Sequence, residues 1–358
     1  MAKEGRLEIT TRMGCKINCV YCPQKLLTGR YYANGLAKNT ELSLENFQKC
    51  VDKVPRGTRI DFSGMAEPWL NDQCTDMVCY AANKGLPIAI YTTLVGMTES
   101  DFCRIRDLKF EEFVLHIPDD KSNAHIDINQ EYIELLHAVI EYKRDNGTSL
   151  VTGFSCHAGI HPAIRSAIPP NSKLITELID RAGNVEGDCA TSKKNEGKIL
   201  CVNCGGNINN NVLLPDGTVV LCCMDYGMKH VLGNLLEQDY DAILHSNEAE
   251  MIRFGLGGGD CDILCRNCTN ARNIYELYND FEIYRDWVRK QEIQLRNDKK
   301  DLDQYKQWVH NLEQKKKIGE QEIKEWSDRY DDRMKELYEY KDWVNNLIRQ
   351  LENKKNNV

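Results

Sequence analysis

The sequence predicts an α/β protein built on a parallel, barrel-like sheet, followed by a small cysteine-rich α+β segment and a long C-terminal helix. Three observations carry this. Short β-branched and aromatic runs alternate with helical stretches through the first half of the chain, the pattern of βα units that make parallel sheets. All 16 cysteines and all 9 prolines lie at or before Cys268, so the composition changes abruptly there. Beyond that point apolar residues keep a seven-residue repeat.

The strand candidates come in order as LEITT, RIDFS, PIAIYT, EEFVLHI and SLVTGF, each separated by a plausible helix. A barrel or partial barrel of such units gathers the loops after its strands on one face, where sites in this architecture sit. Val212 to Leu221 reads as a hairpin turning on Pro215-Asp216-Gly217. The tail from about Ile274 has no Cys, no Pro and a single glycine, Gly319. Its apolar positions, including Tyr284, Val288, Leu295, Leu302, Tyr305, Val309, Leu312, Ile323, Trp326, Tyr330, Leu337, Tyr340, Val344, Leu347 and Leu351, fit one unbroken 3-4 spacing. The motifs YRDWV, YKQWV and YKDWV recur within it. Such a repeat predicts a left-handed coiled coil, and a homodimer through it, or a tether to a partner, follows because the seam otherwise faces water. One solvated helix, or a helical hairpin folded near Gly319, is the plainer alternative. The expected boundaries are 1–185, 186–273 and 274–358.

At 358 residues with 42% apolar content, the chain can bury a sizeable core. Its formal net charge of −8 and lack of a terminal basic run disfavour a nucleic-acid substrate. The opening MAKEGRLEIT has no apolar signal-peptide core, and no apolar stretch approaches the roughly 20 residues that span a bilayer. A cytoplasmic protein without a membrane span is expected. Clustered cysteines in a reducing compartment point to metal or redox chemistry rather than disulfides.

Directly after the first strand stand Cys15, Cys19 and Cys22, with Tyr21 before the last. Three soft thiolates can hold three irons of a 4Fe-4S cube and leave the fourth iron open. A zinc site would need a fourth ligand from elsewhere and usually uses paired CxxC knuckles. This CxxxCxxC motif with its aromatic resembles the signature of the radical SAM superfamily. The resemblance implies a partial (β/α)6 TIM-like barrel and S-adenosylmethionine (SAM) chelated on the open iron. It further implies reductive cleavage to a 5′-deoxyadenosyl radical that abstracts a substrate hydrogen, and a reductant such as flavodoxin or ferredoxin.

After the second strand, Ser63-Gly64-Met65-Ala66-Glu67-Pro68 looks like the family's GGEP element. The likeness implies that Gly64, Met65, Ala66 and Glu67 line SAM. Small residues admit the methionine part, and a carboxylate suits its ammonium. Met65 and Ala66 depart from the family pattern. Thr93 stands where the family contacts the ribose, and His116 closes the fourth strand. A local backbone bond for the Thr93 hydroxyl, or a core position for His116, is the ordinary alternative.

Between Cys201 and Cys268 lies a second concentration of thiols, CVNCGGNINNNVLLPDGTVVLCC and then CDILCRNC. The pattern from Cys204 through Gly217 to Cys222, with a later CxxC, resembles the SPASM/twitch domain of radical SAM enzymes. It implies one auxiliary 4Fe-4S cluster on Cys204, Cys222, Cys265 and Cys268. Cys201 rivals Cys204 and Cys261 rivals Cys265, and a zinc-ribbon-like site would use the same residues. Cys50, Cys74, Cys79 and Cys103 fall in helices and read as small buried hydrophobes, while Cys156 is undecided.

The spacing is nearest to the family's aminocyclitol-oxidising and sugar-modifying members. By that resemblance the substrate is a carbohydrate or cyclitol-type small molecule, oxidised or epimerised. In the first case the auxiliary cluster accepts an electron. In the second a thiol returns a hydrogen atom, and Cys189 and Cys223 are its candidates. Peptide maturation is the runner-up, since the first strand begins by about Leu7 and leaves no room for a peptide-recognition domain before it. An iron–sulfur electron carrier or coiled-coil scaffold is the non-enzymatic alternative.

Overall fold

The structure, a computed structural model, describes residues 5–36, 39–170, 172, 174–185, 194–204 and 207–297, with 335, 339, 341–343 and 346. The chain divides into two compact units, Met1–Tyr278 and Asn279–Val358. In the first, β1 (Arg6–Ile9) is followed by α1 (Gln24–Ala33), α2 (Leu44–Val51) and β2 (Arg59–Phe62). Then come α3 (Cys74–Asn83), β3 (Ile88–Thr92), α4 (Glu99–Ile105), β4 (Glu112–His116), α5 (Gln130–Glu141), β5 (Gly153–Ser155) and β6 (Leu174–Ile175). These six strands pair in parallel in sequence order, as the alternating runs predicted. Side-chain caps start several helices: Ser43 for α2, a Thr98–Asp101 capping box for α4 and Asn129 for α5.

The cysteine-rich segment does not stand off from this sheet. β7 (Ile199–Cys201), β8 (Asn210–Leu213), β9 (Thr218–Val220), β10 (Val231–Asn234), α6 (Tyr240–Leu244), α7 (Asn247–Leu256) and β11 (Ala271–Asn273) make it up. β8 pairs parallel with β1, so the nine-stranded order runs β10-β9-β8-β1-β2-β3-β4-β5-β6. The sheet is open, with β10 and β6 at its edges. The predicted hairpin is β8–β9, and Gly217 takes a positive φ of 89° at its turn. β7 and β11 form a separate two-stranded pair.

Alternation along the strands sorts the two faces. Leu7, Ile9, Ile60, Phe62, Ile88, Ile90, Phe113 and Leu115 join the core with Phe47, Met77, Phe102 and Leu136 of the helices. The opposite face is polar: Glu8 pairs in register with Asp61, and Asp61 with Ala89, which pairs with Glu112. Across it Arg59 holds Asp61 by two bonds of 2.6 and 2.8 Å. Tyr91 donates to Glu112.

Of the helix cysteines, Cys50 and Cys74 are buried and Cys79 is half-buried. Cys103 corrects the expectation: it lies exposed on α4, whose buried side is taken by Phe102 and Ile105. α8 (Ile274–Asn297) is the start of the predicted long helix, and Tyr284 on it is exposed. The seam positions from Leu302 onward lie outside the described residues. Among the described residues no helix is long and apolar enough to cross a membrane.

Candidate active site

The loop leaving β1 carries Cys15, Cys19 and Cys22, all half-buried. Burial pushes the Cys19 thiol up to about 12, with Cys22 and Cys15 adding to the shift as neighbouring charges. Cys15 is raised for the same first reason, with Glu67 and Cys22 as charged neighbours, while the Glu67 and Ile17 N–H groups donate to its sulfur and oppose the rise. The three sulfurs therefore sense one another as charges, and the first is tied to the segment after β2. Cationic metal at this point would relieve that repulsion, which is what a cluster needs of its ligands. Among the described residues no three Cys, His, Asp or Glu side chains converge on a single-ion site. Ligands of a four-iron cube each bind a different iron, so they stand farther apart than ligands of one ion.

The segment after β2 is held against β1. Gly64 has a φ of +41°, and a Cβ there would sit 2.7 Å from the Thr10 Cα and would strike the Ile9 carbonyl. Met65 N–H donates to Thr10 Oγ1 at 3.0 Å, and Gln24 Nε2 donates to the Met65 carbonyl. Met65 is 1% exposed and Ala66 7%, so at these two positions the side chains pack inward. Glu67 is buried, and burial raises its carboxyl pKa against the hydrogen bonds that lower it. Thr92 Oγ1 (2.5 Å), Thr93 N (2.7 Å) and Thr93 Oγ1 (2.7 Å) all donate to that carboxylate. Thr93 is thus joined to Glu67 across the ends of β2 and β3.

His116 and Tyr21 also meet. Tyr21 Oη lies 2.5 Å from His116 Nε2, and the Tyr21 ring stands edge-on to His157 at 4.6 Å. Burial and then the His157 charge hold His116 down to about 4, so it is neutral at pH 7. With Nε2–H donating to the Tyr21 oxygen, the Tyr21 hydroxyl is free to donate to Cys19, the partner with which it also hydrogen-bonds.

Behind the loop, Cys222 and Cys223 follow β9. Cys222 is raised by burial first, then by the Cys223 and Cys265 charges. Cys265 is pushed up to about 12 by burial, then by Cys201 and Cys268. Register sets Cys201 opposite Ala271, and Val202 N–H donates to the Asn270 carbonyl at 2.8 Å. Cys201, Cys222, Cys265 and Cys268 therefore share one neighbourhood, and Cys204 is buried one turn away from Cys201. Cys261 instead turns toward α7, its Sγ 3.5 Å from the Met251 carbonyl. Cys223 hydrogen-bonds Glu8, whose carboxyl is raised by burial and by Asp61. Cys189 lies outside the described residues.

Residues 204–269 match the SPASM model, an iron–sulfur cluster-binding domain. This stretch is similar to that domain over its cysteine-rich span. Among solved structures, BtrN in complex with AdoMet and 2-DOIA shares 19% identity over 76% of this chain and 95% of its own, with a TM-score of 0.50. An open form of BtrN shares 18% over 75% and 93%, at 0.44. SuiB of Streptococcus suis bound to precursor peptide SuiA shares 13% over 75% and 70%, at 0.43. At 19% identity the BtrN likeness is one of fold. No curated protein sequence matches this chain. The expected α/β fold is shared with the BtrN complex, and the expected SPASM-like stretch matches the SPASM model over residues 204–269.

Sequence reasoning missed Glu8, Gln24, His157, Arg181 and Tyr226. Glu8 carried a signal, being a carboxylate in the middle of the first strand on the face opposite Leu7 and Ile9. Arg181 sits at a positive φ of 51° with its guanidinium 5.8 Å from the Tyr226 ring centre, and no local pattern marks it.

Proposed function

We propose that this protein is a radical SAM enzyme with one auxiliary 4Fe-4S cluster, acting on a carbohydrate or cyclitol-type small molecule by oxidation or epimerisation. The observation that carries the reading is the convergence of Cys15, Cys19 and Cys22 beside Glu67, with a SPASM stretch behind them. When bound, the cluster and SAM supply a 5′-deoxyadenosyl radical that takes a hydrogen atom from substrate. Cys15, Cys19 and Cys22 bind the first cluster. Gly64, Met65, Ala66 and Glu67 frame SAM, and Gln24 Oε1, buried with no partner in the protein, is an acceptor available to a ligand donor there. Thr93 and Thr92 orient Glu67. Cys222, Cys265, Cys268 and a fourth thiolate from Cys201 or Cys204 bind the auxiliary cluster.

The polar face of the sheet favours a hydroxyl-rich substrate. Glu8, Asp61, Arg59, Tyr91, Glu112 and His116 offer acceptors and donors in near balance and little apolar surface. Two fates of the substrate radical remain within this reading. Oxidation requires a proton acceptor and an electron exit, for which neutral His116 and the auxiliary cluster serve. Epimerisation requires a hydrogen donor, and Cys223 beside Glu8 faces the same space. A reductant of the flavodoxin or ferredoxin class would supply the first electron.

The test is anaerobic reconstitution with iron and sulfide, then SAM and dithionite, following 5′-deoxyadenosine. About eight irons in the intact protein, about four after Cys15, Cys19 and Cys22 are changed to Ala, and loss of deoxyadenosine are expected. Zinc in place of iron, or intact protein that leaves SAM uncleaved, overturns the reading. Solvent deuterium appearing at a substrate carbon, and lost in Cys223→Ala, would select epimerisation.

A further inference from the structure

Cys22 is the thiol of the first loop that meets the SPASM stretch. Its sulfur lies 3.5 Å from Tyr226 Oη and 3.5 Å from Gln24 Nε2. Tyr226 is 3% exposed and stands in the turn that begins at Cys222. That turn is fixed at several points. Asp225 N–H donates to the Cys222 carbonyl at 2.9 Å, and the Asp225 carboxylate accepts from Lys229 N (2.7 Å) and His230 N (2.8 Å). His230 in turn accepts from Leu264 N at 2.8 Å, next to Cys265. The hydroxyl of Tyr226 is therefore placed by the same frame that holds the auxiliary thiols.

We propose that Tyr226 donates its hydroxyl hydrogen to the Cys22 thiolate and raises the reduction potential of the cluster on Cys15, Cys19 and Cys22, so that the SPASM stretch tunes the radical generator directly. The inference rests on the proposed function above. A thiolate bound to iron has no proton, so in that state the tyrosine is the donor. An O–H···S bond stabilises the added negative charge of the reduced cluster, and hydrogen bonds to cluster sulfurs are among the levers that set its potential. Arg181 over the Tyr226 ring makes the phenol a better donor by withdrawing charge from it. Tyr226 is a positioning and tuning residue, with no contact to substrate required.

The experiment is an EPR-monitored redox titration of reconstituted wild type, Tyr226→Phe and Gln24→Leu, with the signal that responds to added SAM taken as the first cluster. Tyr226→Phe should keep its full iron and sulfide, and its first cluster should be about tenfold harder to reduce, about 59 mV for one electron. The auxiliary cluster should keep its potential. Proton double resonance on the reduced wild-type cluster, in H2O and D2O, should find a close exchangeable proton that persists in Gln24→Leu. An unchanged potential in fully loaded Tyr226→Phe, an equal shift of both clusters, or absence of that proton in wild type overturns the inference while leaving the enzyme reading intact. Failure of the wild type to load a SAM-responsive cluster removes both.

Discussion

Gly64→Ala separates two reasons for a glycine in the SGMAEP segment. The sequence explains it by room for SAM, whereas the structure gives a second reason on the protein side. Gly64 has a φ of +41°, and an added Cβ would lie 2.7 Å from the Thr10 Cα, within the backbone of β1 and not against a flexible side chain. An L-residue in the left-handed region costs about 1 kcal/mol, and shifting packed backbone costs about 2 kcal/mol more. The sum of about 3 kcal/mol corresponds to a drop of about 6–12 °C in melting temperature. Gly85→Ala is the control, because Gly85 has a φ of +71° and nothing within 4 Å of its added Cβ. It should lose only the conformational share, about 1 kcal/mol. Both variants are followed by circular dichroism under anaerobic conditions, without SAM. Because Met65 N–H and the Glu67 backbone leave from this point toward Thr10 and Cys15, Gly64→Ala should also weaken SAM binding. Equal losses in the two variants would refute the close approach to β1 and return the explanation to ligand space alone.

Three further outcomes follow from the geometry. Cys201 is the neighbour that raises both Cys265 and Cys268, so Cys201→Ala should lose more auxiliary iron than Cys204→Ala; the reverse order would assign Cys204 as the ligand. His116 is held down to about 4 from an ordinary 6.5, so the unfolded chain takes up a proton there that the folded chain does not. Stability should therefore be fully present above about pH 6.5 and fall as pH drops toward 4, by up to about 3 kcal/mol. Urea unfolding of His116→Asn should show a flatter slope across that window, and an unchanged slope would remove His116 as the cause. Asp61→Ala removes the carboxylate that takes two bonds from the Arg59 guanidinium, 10% exposed in its side chain, and leaves it Glu112 at 3.2 Å, so it should cost about 2 kcal/mol in urea unfolding. The Arg59→Met, Asp61→Leu pair should cost less than the single change, and an equal or greater cost would mean the ion pair is not what is being lost.

Much of the parallel sheet was legible because its information is local. The five β-rich runs overlap β1 to β5, each leaving out at most one residue of its strand, because alternating or continuous apolar stretches bounded by turn residues have few other ways to bury themselves. Ser43, Thr98 and Asn129 mark helix starts by the same local logic. Two kinds of feature escaped. β6 is only two residues long and exposed, so no periodicity can announce it. Cys103 was read as buried because its helix is, although on α4 the inward positions belong to its neighbours Phe102 and Ile105. The thiols of the first loop were visible as a spacing, while their partners were not: His157, Gln24 and Tyr226 become neighbours only once distant strands are placed.

That placement has one cause with several effects. β8 pairs along the side of β1 away from β2, with Arg6 opposite Asn210 and Glu8 opposite Val212, and Thr10 N–H continues the ladder to the Leu213 carbonyl at 2.9 Å. β9 returns antiparallel against β8, so the chain after it emerges alongside the strand whose end carries Cys15, Cys19 and Cys22. Cys223 reaches Glu8 and Tyr226 reaches Cys22 through this one pairing, the latter across 204 residues of sequence. A freely attached cluster domain would leave the distance between the two thiol sets to a linker. Here a shared backbone ladder fixes it, because a one-residue slip of β8 on β1 would turn Val212 and Leu213 to the wrong faces and empty two fully buried positions. Packing of β8 therefore acts at the same time on the electronic environment of Cys22, which is why the redox effect of Tyr226 and the stability of the β8–β1 pairing should respond together to mutations in β8 and apart to Tyr226→Phe.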